Sequence, residues 1–344
     1  MLQATRGSGG SSGSSGVGGS AGAGDSGGDA ATSGVGGSDV VTLASEQSNP
    51  DAIAVDATRV YWTNYNDGTV MAVSLDGGAM TLLASGQSGP AGIAVDSTGV
   101  YWVNQGTVDR DGAVMSIPLR GGTPTALASA LCSPLALEVD GTSVYWTNGC
   151  TTDSAGYTDG TVMKMPLGGG TPVVLASGQM FPHSIAIDAS AVYWTAGTGT
   201  YDLGSVMKVP LDGGNPVTLA SGAPEPYDLV VDAAFVYWTT GGGSTVMKVP
   251  LGGGDAITLA SNQGAWGIAV DAANVYWTNR APGAVLKMAL DGGPITTLVS
   301  GQPGTESAGI AVDTNSVYWT NPGRLDSSQA LVNSSGTVMK LSPK

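Results

Sequence analysis

The chain has 344 residues, only 11% of them charged, with 55 glycines and a formal net charge of −15. That balance argues against nucleic acid or an anionic membrane as partner, because both reward clustered Lys and Arg. No run of 18 apolar residues occurs, so no transmembrane helix is expected.

Residues 1–38 are almost entirely Gly, Ser, Ala and Asp without apolar periodicity. Such a stretch cannot bury enough surface to offset its ordering entropy, and it reads as a flexible tether. It has neither the basic start and apolar core of a secretion signal nor a cysteine to carry lipid. Gly/Ser tethers of this kind follow the signal in many bacterial surface lipoproteins. The expectation is therefore an extracellular, periplasmic or surface-tethered protein whose signal segment is not visible in this chain.

From residue 39 onward four short signatures recur. An Ile-Ala-Val-Asp type strand ends at Asp56, Asp96, Asp140, Asp188, Asp232, Asp271 and Asp313. A Val-Tyr-Trp-Thr strand follows each, with its pair at Tyr61-Trp62, Tyr101-Trp102, Tyr145-Trp146, Tyr193-Trp194, Tyr237-Trp238, Tyr276-Trp277 and Tyr318-Trp319. A Thr-Val-Met-Lys-Val-Pro-Leu strand and a Thr-Leu-Ala-Ser strand complete the unit, usually joined by a Gly-Gly turn. Successive tyrosines lie 40, 44, 48, 44, 39 and 42 residues apart, the period of a propeller blade. Adjacent Val, Tyr and Trp leave neither strand face polar, as required when blades pack face to face. Thr-Leu-Ala-Ser first appears at 42–45, before any complete blade, and the last blade stops after Lys340-Leu341. The sequence thus predicts an all-β, seven-bladed β-propeller over 39–344, built of four-stranded antiparallel blades. Its amino-terminal strand completes blade seven. Lys164, Lys208, Lys248, Lys287 and Lys340 share one strand slot and are expected as solvated outer-edge charges.

These Tyr-Trp-Thr-Asn repeats, each preceded by a Gly-Ile-Ala-Val-Asp type strand, resemble the YWTD propellers of low-density-lipoprotein-receptor relatives. More loosely they resemble NHL and virginiamycin-lyase propellers. The resemblance covers all seven repeats and implies the fold. Asn stands in place of the motif's Asp at 64, 104, 148, 279 and 321, with Ala196 and Thr240 in the other two slots, and the familiar YWTD ring has six blades.

Connection lengths point to one working end. Asp to Tyr is always 5 residues, and third-strand Met or Leu to fourth-strand Leu is always 12. At the opposite end Trp to that Met or Leu spans 9, 13, 17, 13, 9, 9 and 20 residues, the variability of binding loops on a rigid scaffold. Of the seven aromatics outside the Tyr-Trp pairs, Tyr65, Tyr157, Phe181, Tyr201, Tyr227 and Trp266 map to this variable end, and Phe235 to the constant one. Cys132 and Cys150 also fall at the variable end, where antiparallel neighbours would bring them together. A disulfide is expected, worth ~3 kcal/mol and indicative of an oxidising compartment.

The residue before each first strand should line the channel mouth: Asp51, Ala91, Leu135, His183, Tyr227, Trp266 and Ala308. His183, the single histidine, Tyr227 and Trp266 fall in consecutive blades, with Asp228 beside Tyr227. Flat aromatics next to a carboxylate suit a sugar ring or a peptide side chain; the alternative is a plug that binds nothing. Glu138 occupies a slot that is Ala or Val elsewhere and is expected to reach channel water or, with Asp228 or Asp51, to help hold an axial cation such as calcium. The Asp56-type carboxylates read as turn residues, and the Asn after Tyr-Trp-Thr as a turn former.

From residue 39 onward there is no Gly-x-Ser-x-Gly element, and the chain has no Cys/His cluster of metal-ligand spacing. The leading reading is a monomeric, non-enzymatic module binding a peptide, protein or glycan through the variable-loop mouth, with no cofactor. A lyase- or lactonase-type enzyme using His183, Asp51, Glu138 and Asp228, and a structural envelope scaffold, are the alternatives.

Overall fold

The computed structural model describes residues 39–107, 110–150, 159–197, 203–242, 244–280, 283–302, 309–323 and 335–344. The expected tether, Tyr157, Tyr201 and Ala308 lie outside them. Twenty-eight strands form seven antiparallel four-stranded sheets, the seven-bladed propeller that the repeats predict. Blade one comprises Pro50–Val55, Arg59–Asn64, Thr69–Ser74 and Thr81–Ala84. Blades two to six repeat this order from Pro90, Pro134, Pro182, Pro226 and Ala265. Blade seven takes its outer strand, Asp39–Gln47, from the beginning of the propeller sequence, with Val40 opposite Leu341 and Val41 opposite Lys340. The predicted closure is thus realised. Among the described residues no helix is long and apolar enough to cross a membrane.

The Tyr-Trp pair builds the core because neighbouring strand residues point to opposite faces. Each Tyr enters the gap to the following blade and there meets that blade's Trp: Tyr61 with Trp102, Tyr145 with Trp194, and, across the closure, Tyr318 with Trp62. Every paired indole is at most 1% exposed. Trp62, Trp102, Trp194 and Trp319 donate their N–H to Gln47, Gln87, Gln179 and Gln302, which end or follow the outer strand of the preceding blade. Leu131 and Ala223 hold the corresponding position before Trp146 and Trp238, whose buried N–H groups have no acceptor among the described residues. The Asn after Tyr-Trp-Thr does more than form a turn. Asn64 Nδ2 donates to Gln47 Oε1 (2.9 Å) and Thr69 Oγ1 (3.0 Å), bracing the strand end.

The two invariant connections share one end and are bonded together. Leu75, Leu167, Leu211 and Leu251, each following a third strand, donate their N–H to the carbonyls of Thr58, Thr142, Ser190 and Ala234 in the Asp turn. In that turn Asp188 accepts Ser190 N, Ser190 Oγ, Ala191 N and Tyr193 OH at 2.6–2.8 Å. Burial opposes the charge on Asp188, but these donors outweigh it and hold the carboxyl below its ordinary value. The same burial and the nearby carboxylate push the Tyr193 phenol upward.

The repeated lysines differ from the expectation of solvated outer-edge charges. Lys164, Lys208, Lys248 and Lys340 reach into the next blade and donate to the carbonyls of Leu211, Leu251, Leu290 and Leu75. Each also lies over the Tyr ring of its own blade, 5.1–6.0 Å from the centroid. The reason is position: the third strand is inside the fourth, so a long aliphatic stem can be buried along the blade while its ammonium ties two blades. Over Tyr276 the cation is Lys344, which also pairs with Asp271 at 2.6 Å.

Candidate functional site at the channel mouth

The mouth is shaped by a bulge. Pro50 pairs with Asn64 but Ile53 with Trp62, so one extra residue is inserted early in the first strand, and blades two to six show the same shift. That bulge carries the mouth residues. Threonine of the Tyr-Trp-Thr motif pins it: Thr195 Oγ1 accepts Ser184 N in its own blade and donates to the Tyr227 carbonyl of the next, at 3.1 and 2.9 Å. Thr63, Thr147, Thr239 and Thr320 donate likewise to the carbonyls of Ala91, His183, Trp266 and Asp51. The mouth backbone is therefore set by the motif, and only its side chains vary.

Three of the expected residues come together. His183, Tyr227 and Trp266 stack in a row across blades four to six, with ring centroids 4.4 and 3.8 Å apart. Phe181 extends the row at 6.1 Å from His183. All three mouth rings are at most 9% exposed, so they cover one another rather than standing open side by side. Gly149 permits the approach of Phe181: a Cβ there would lie 2.7 Å from Leu135 Cδ1 and 3.0 Å from Phe181 Cε2. Burial pushes the His183 imidazole down to about 4, against a backbone hydrogen bond at Tyr227 that favours protonation. The ring is neutral at pH 7. His183 Nδ1 and Trp266 Nε1 are buried without a hydrogen-bond partner among the described residues.

Asp228 lies beneath this row, fully buried. It accepts Ser184 Oγ (2.7 Å), Leu229 N (3.0 Å) and Ile268 N (3.0 Å), and so staples blades four, five and six. It supports the stack and does not face the mouth. Asp51 is also buried, at 4%. Glu138 is half-buried opposite Tyr145 on its strand. Among the described residues no group of three or more His, Cys, Asp or Glu side chains is placed to hold a metal ion. Asp51, Glu138, Asp228 and His183 are not gathered into such a set. Tyr65 covers a loop: its hydroxyl donates to Gln105 Oε1 at 2.7 Å and its ring packs on Gly89.

Cys132 and Cys150 stand opposite each other, continuing the register in which Pro134 faces Asn148. Cys150 Sγ is turned onto the Cys132 carbonyl at 3.5 Å. Burial first, and then the neighbouring Cys132, pushes the Cys150 thiol up to about 12, a value that disfavours thiolate chemistry.

Two residues of the mouth escape the slot analysis. Arg280 is exposed, and its guanidinium lies 4.5 Å from the centre of the Trp266 ring. Glu225 precedes Pro226 with a left-handed φ of 50°. Its carboxylate folds over Gly241, where a Cβ would come within 2.9 Å of Oε2. Burial raises the Glu225 carboxyl above its ordinary value, and the Arg280 charge opposes this only in part. Glu225 sits two places before the slot residue Tyr227, and Arg280 one place after the Asn279 that ends its Tyr-Trp-Thr-Asn motif. Aligning the positions that hold Asn49, Gly89, Ser133, Phe181 and Gly264 would have exposed Glu225 as the acidic exception.

No protein-family model matches the chain, and neither does any curated protein. Among solved structures, a chain of the nidogen/laminin complex is similar at 20% identity and a TM-score of 0.54, covering 71% of this chain and 99% of that one. Virginiamycin B lyase from Staphylococcus aureus is similar at 11% identity and a TM-score of 0.66, covering 89% and 98%. At these identities what is shared is the fold: the chain is a β-propeller, with structural neighbours of both binding and enzymatic kinds.

Proposed function

We propose that this propeller is a non-enzymatic recognition module, exported or surface-tethered, that captures a protein, peptide or glycan on its variable-loop face. The observation that carries the reading is the concentration of spare aromatics and of the exposed Arg280 around one mouth, on a backbone held rigid by the threonine ring. Such a scaffold keeps interface residues pre-ordered, which lowers the entropy lost on association. The export reading draws support from Cys132 and Cys150, whose opposed register leaves a disulfide within reach in an oxidising compartment. The lyase-like alternative needs a base, and a buried imidazole with a value of about 4 is a weak one at neutral pH.

The test removes one aromatic from each end. Trp266→Ala and Phe235→Ala are used as bait in extracts of the producing cells, with captured material analysed by mass spectrometry and glycan profiling. Loss of capture with Trp266→Ala and retention with Phe235→Ala is expected, both variants being folded by circular dichroism. Equal capture by the two refutes a mouth-face site.

A further inference from the structure

We propose that Trp266 and Glu225 form a receptor for one cationic side chain of a peptide partner, arginine or lysine, and that Arg280 occupies it in the free protein as a resident stand-in. This rests on the mouth-face reading above and names the chemistry that face takes. The geometry comes first. Arg280 is exposed at its own end, yet its guanidinium roofs an indole that is itself 6% exposed. Tryptophan is the best aromatic face for a cation, so the contact is of the type a ligand would make. It is supplied here by a residue that follows the second strand of blade six.

Glu225 is the second observation. It holds a left-handed backbone, φ 50°, as do Asn49, Gly89, Ser133, Phe181 and Gly264 at the same position of other blades, so the bulge is common to the blades and the acidic side chain is what sets blade five apart. Its carboxylate lies over Gly241, a close approach that any side chain at 241 would block.

The third observation is charge. Among the described residues the one close ion pair joins Lys344 to Asp271, so Glu225 feels Arg280 without a direct ion pair to it. Its carboxyl stays raised because burial exceeds what Arg280 returns. A cation delivered over Trp266 on the carboxylate side would supply the missing compensation. The chain's net charge of −15 adds a long-range pull on basic partners. An anionic ligand taken by the Arg280 fork is the rival occupant, and the experiment separates the two.

Hexa-arginine, hexalysine and hexaglutamate peptides are titrated calorimetrically into wild type, Arg280→Ala, Arg280→Ala/Glu225→Gln and Arg59→Ala. Arg59 is exposed at the constant end, so its variant loses the same charge away from the mouth. Arg280→Ala is expected to bind hexa-arginine roughly tenfold more tightly than wild type. Adding Glu225→Gln should cancel the gain, and Arg59→Ala should stay within about twofold of wild type. The proposal is overturned if Arg280→Ala binds cationic peptides no better, if Arg59→Ala gains as much, if the gain survives Glu225→Gln, or if wild type binds hexaglutamate and Arg280→Ala does not. Capture that depends on Trp266 but ignores these variants would leave the mouth-face reading standing and refute this one. A tenfold peptide gain with capture indifferent to Trp266 would do the reverse.

Discussion

At the constant end Asp188 is ringed by four donors, while at the variable end Glu225 is half-buried with no hydrogen bond to its carboxylate among the described residues. Burial pushes both carboxyls upward, yet Asp188 ends below its ordinary value and Glu225 above it. What differs is the supply of donors. A turn that satisfies its own carboxylate in six blades of seven, Asp96 Oδ2 being the exception, is architecture; a carboxylate left short of donors at a mouth is available for something else. The aromatics divide in the same way. Those between blades are repeated and interchangeable, whereas Phe181, His183, Tyr227 and Trp266 occur once each and form a row found in three blades of seven.

The largest effect should come from breaking the satisfied end. Asp188→Ala orphans two backbone N–H groups and the Tyr193 hydroxyl, and should lower stability by about 4 kcal/mol. Glu225→Gln removes an under-satisfied charge and should leave stability within about 0.5 kcal/mol of wild type. Urea midpoints at unchanged slope read both. Similar losses in the two variants would erase the distinction between the ends.

Acid should separate the ends next. The folded His183 value of about 4 lies below its ordinary 6.5, so between these values the unfolded state binds the extra proton. The contribution is complete above pH 6.5 and is lost as pH falls toward 4, by about 3 kcal/mol at most. The turn carboxylates behave differently. Asp140, Asp188 and Asp271 are held below their ordinary 3.8, so their contribution persists until the pH drops under that value. Two stages are expected in stability against pH, mouth first and turns second. His183→Phe should abolish the first stage and keep the second; an unchanged profile would mean that the imidazole is not held neutral by the stack.

The fold was legible because its determinants are local and repeated. The adjacent Tyr-Trp code both blade faces, the Asp turn codes its own hydrogen bonds, and an unpaired Thr-Leu-Ala-Ser at 42–45 announces the closure. Blade-to-blade contacts were less visible. That Lys208 would find the Leu251 carbonyl depends on how two sheets are offset, which a single repeat does not encode. The mouth was half legible: register placed His183, Tyr227 and Trp266 together, but their mutual burial depends on side-chain directions inside a bulge. Arg280 was missed because it reaches the ring from the neighbouring strand of the same blade.

The smallest predicted effect sits where the repeated and the variable parts meet. Trp146 buries its indole N–H without the Gln acceptor that Trp62, Trp102, Trp194 and Trp319 have; Leu131 holds that position, whereas Trp277 lacks the bond with Gln263 in place. Leu131→Gln should restore the bond and raise stability by about 1 kcal/mol, the gain being limited by the packing that Leu131 gives up against the blade-three core. Placing the same change in a Trp146→Phe background isolates the bond, since the ring stays apolar but loses its donor. A gain that survives in that background would come from elsewhere, whereas a gain confined to the tryptophan background would show that blade three departs from the repeat at a cost. That departure lies beside Cys132, at the end of the propeller where the connections vary.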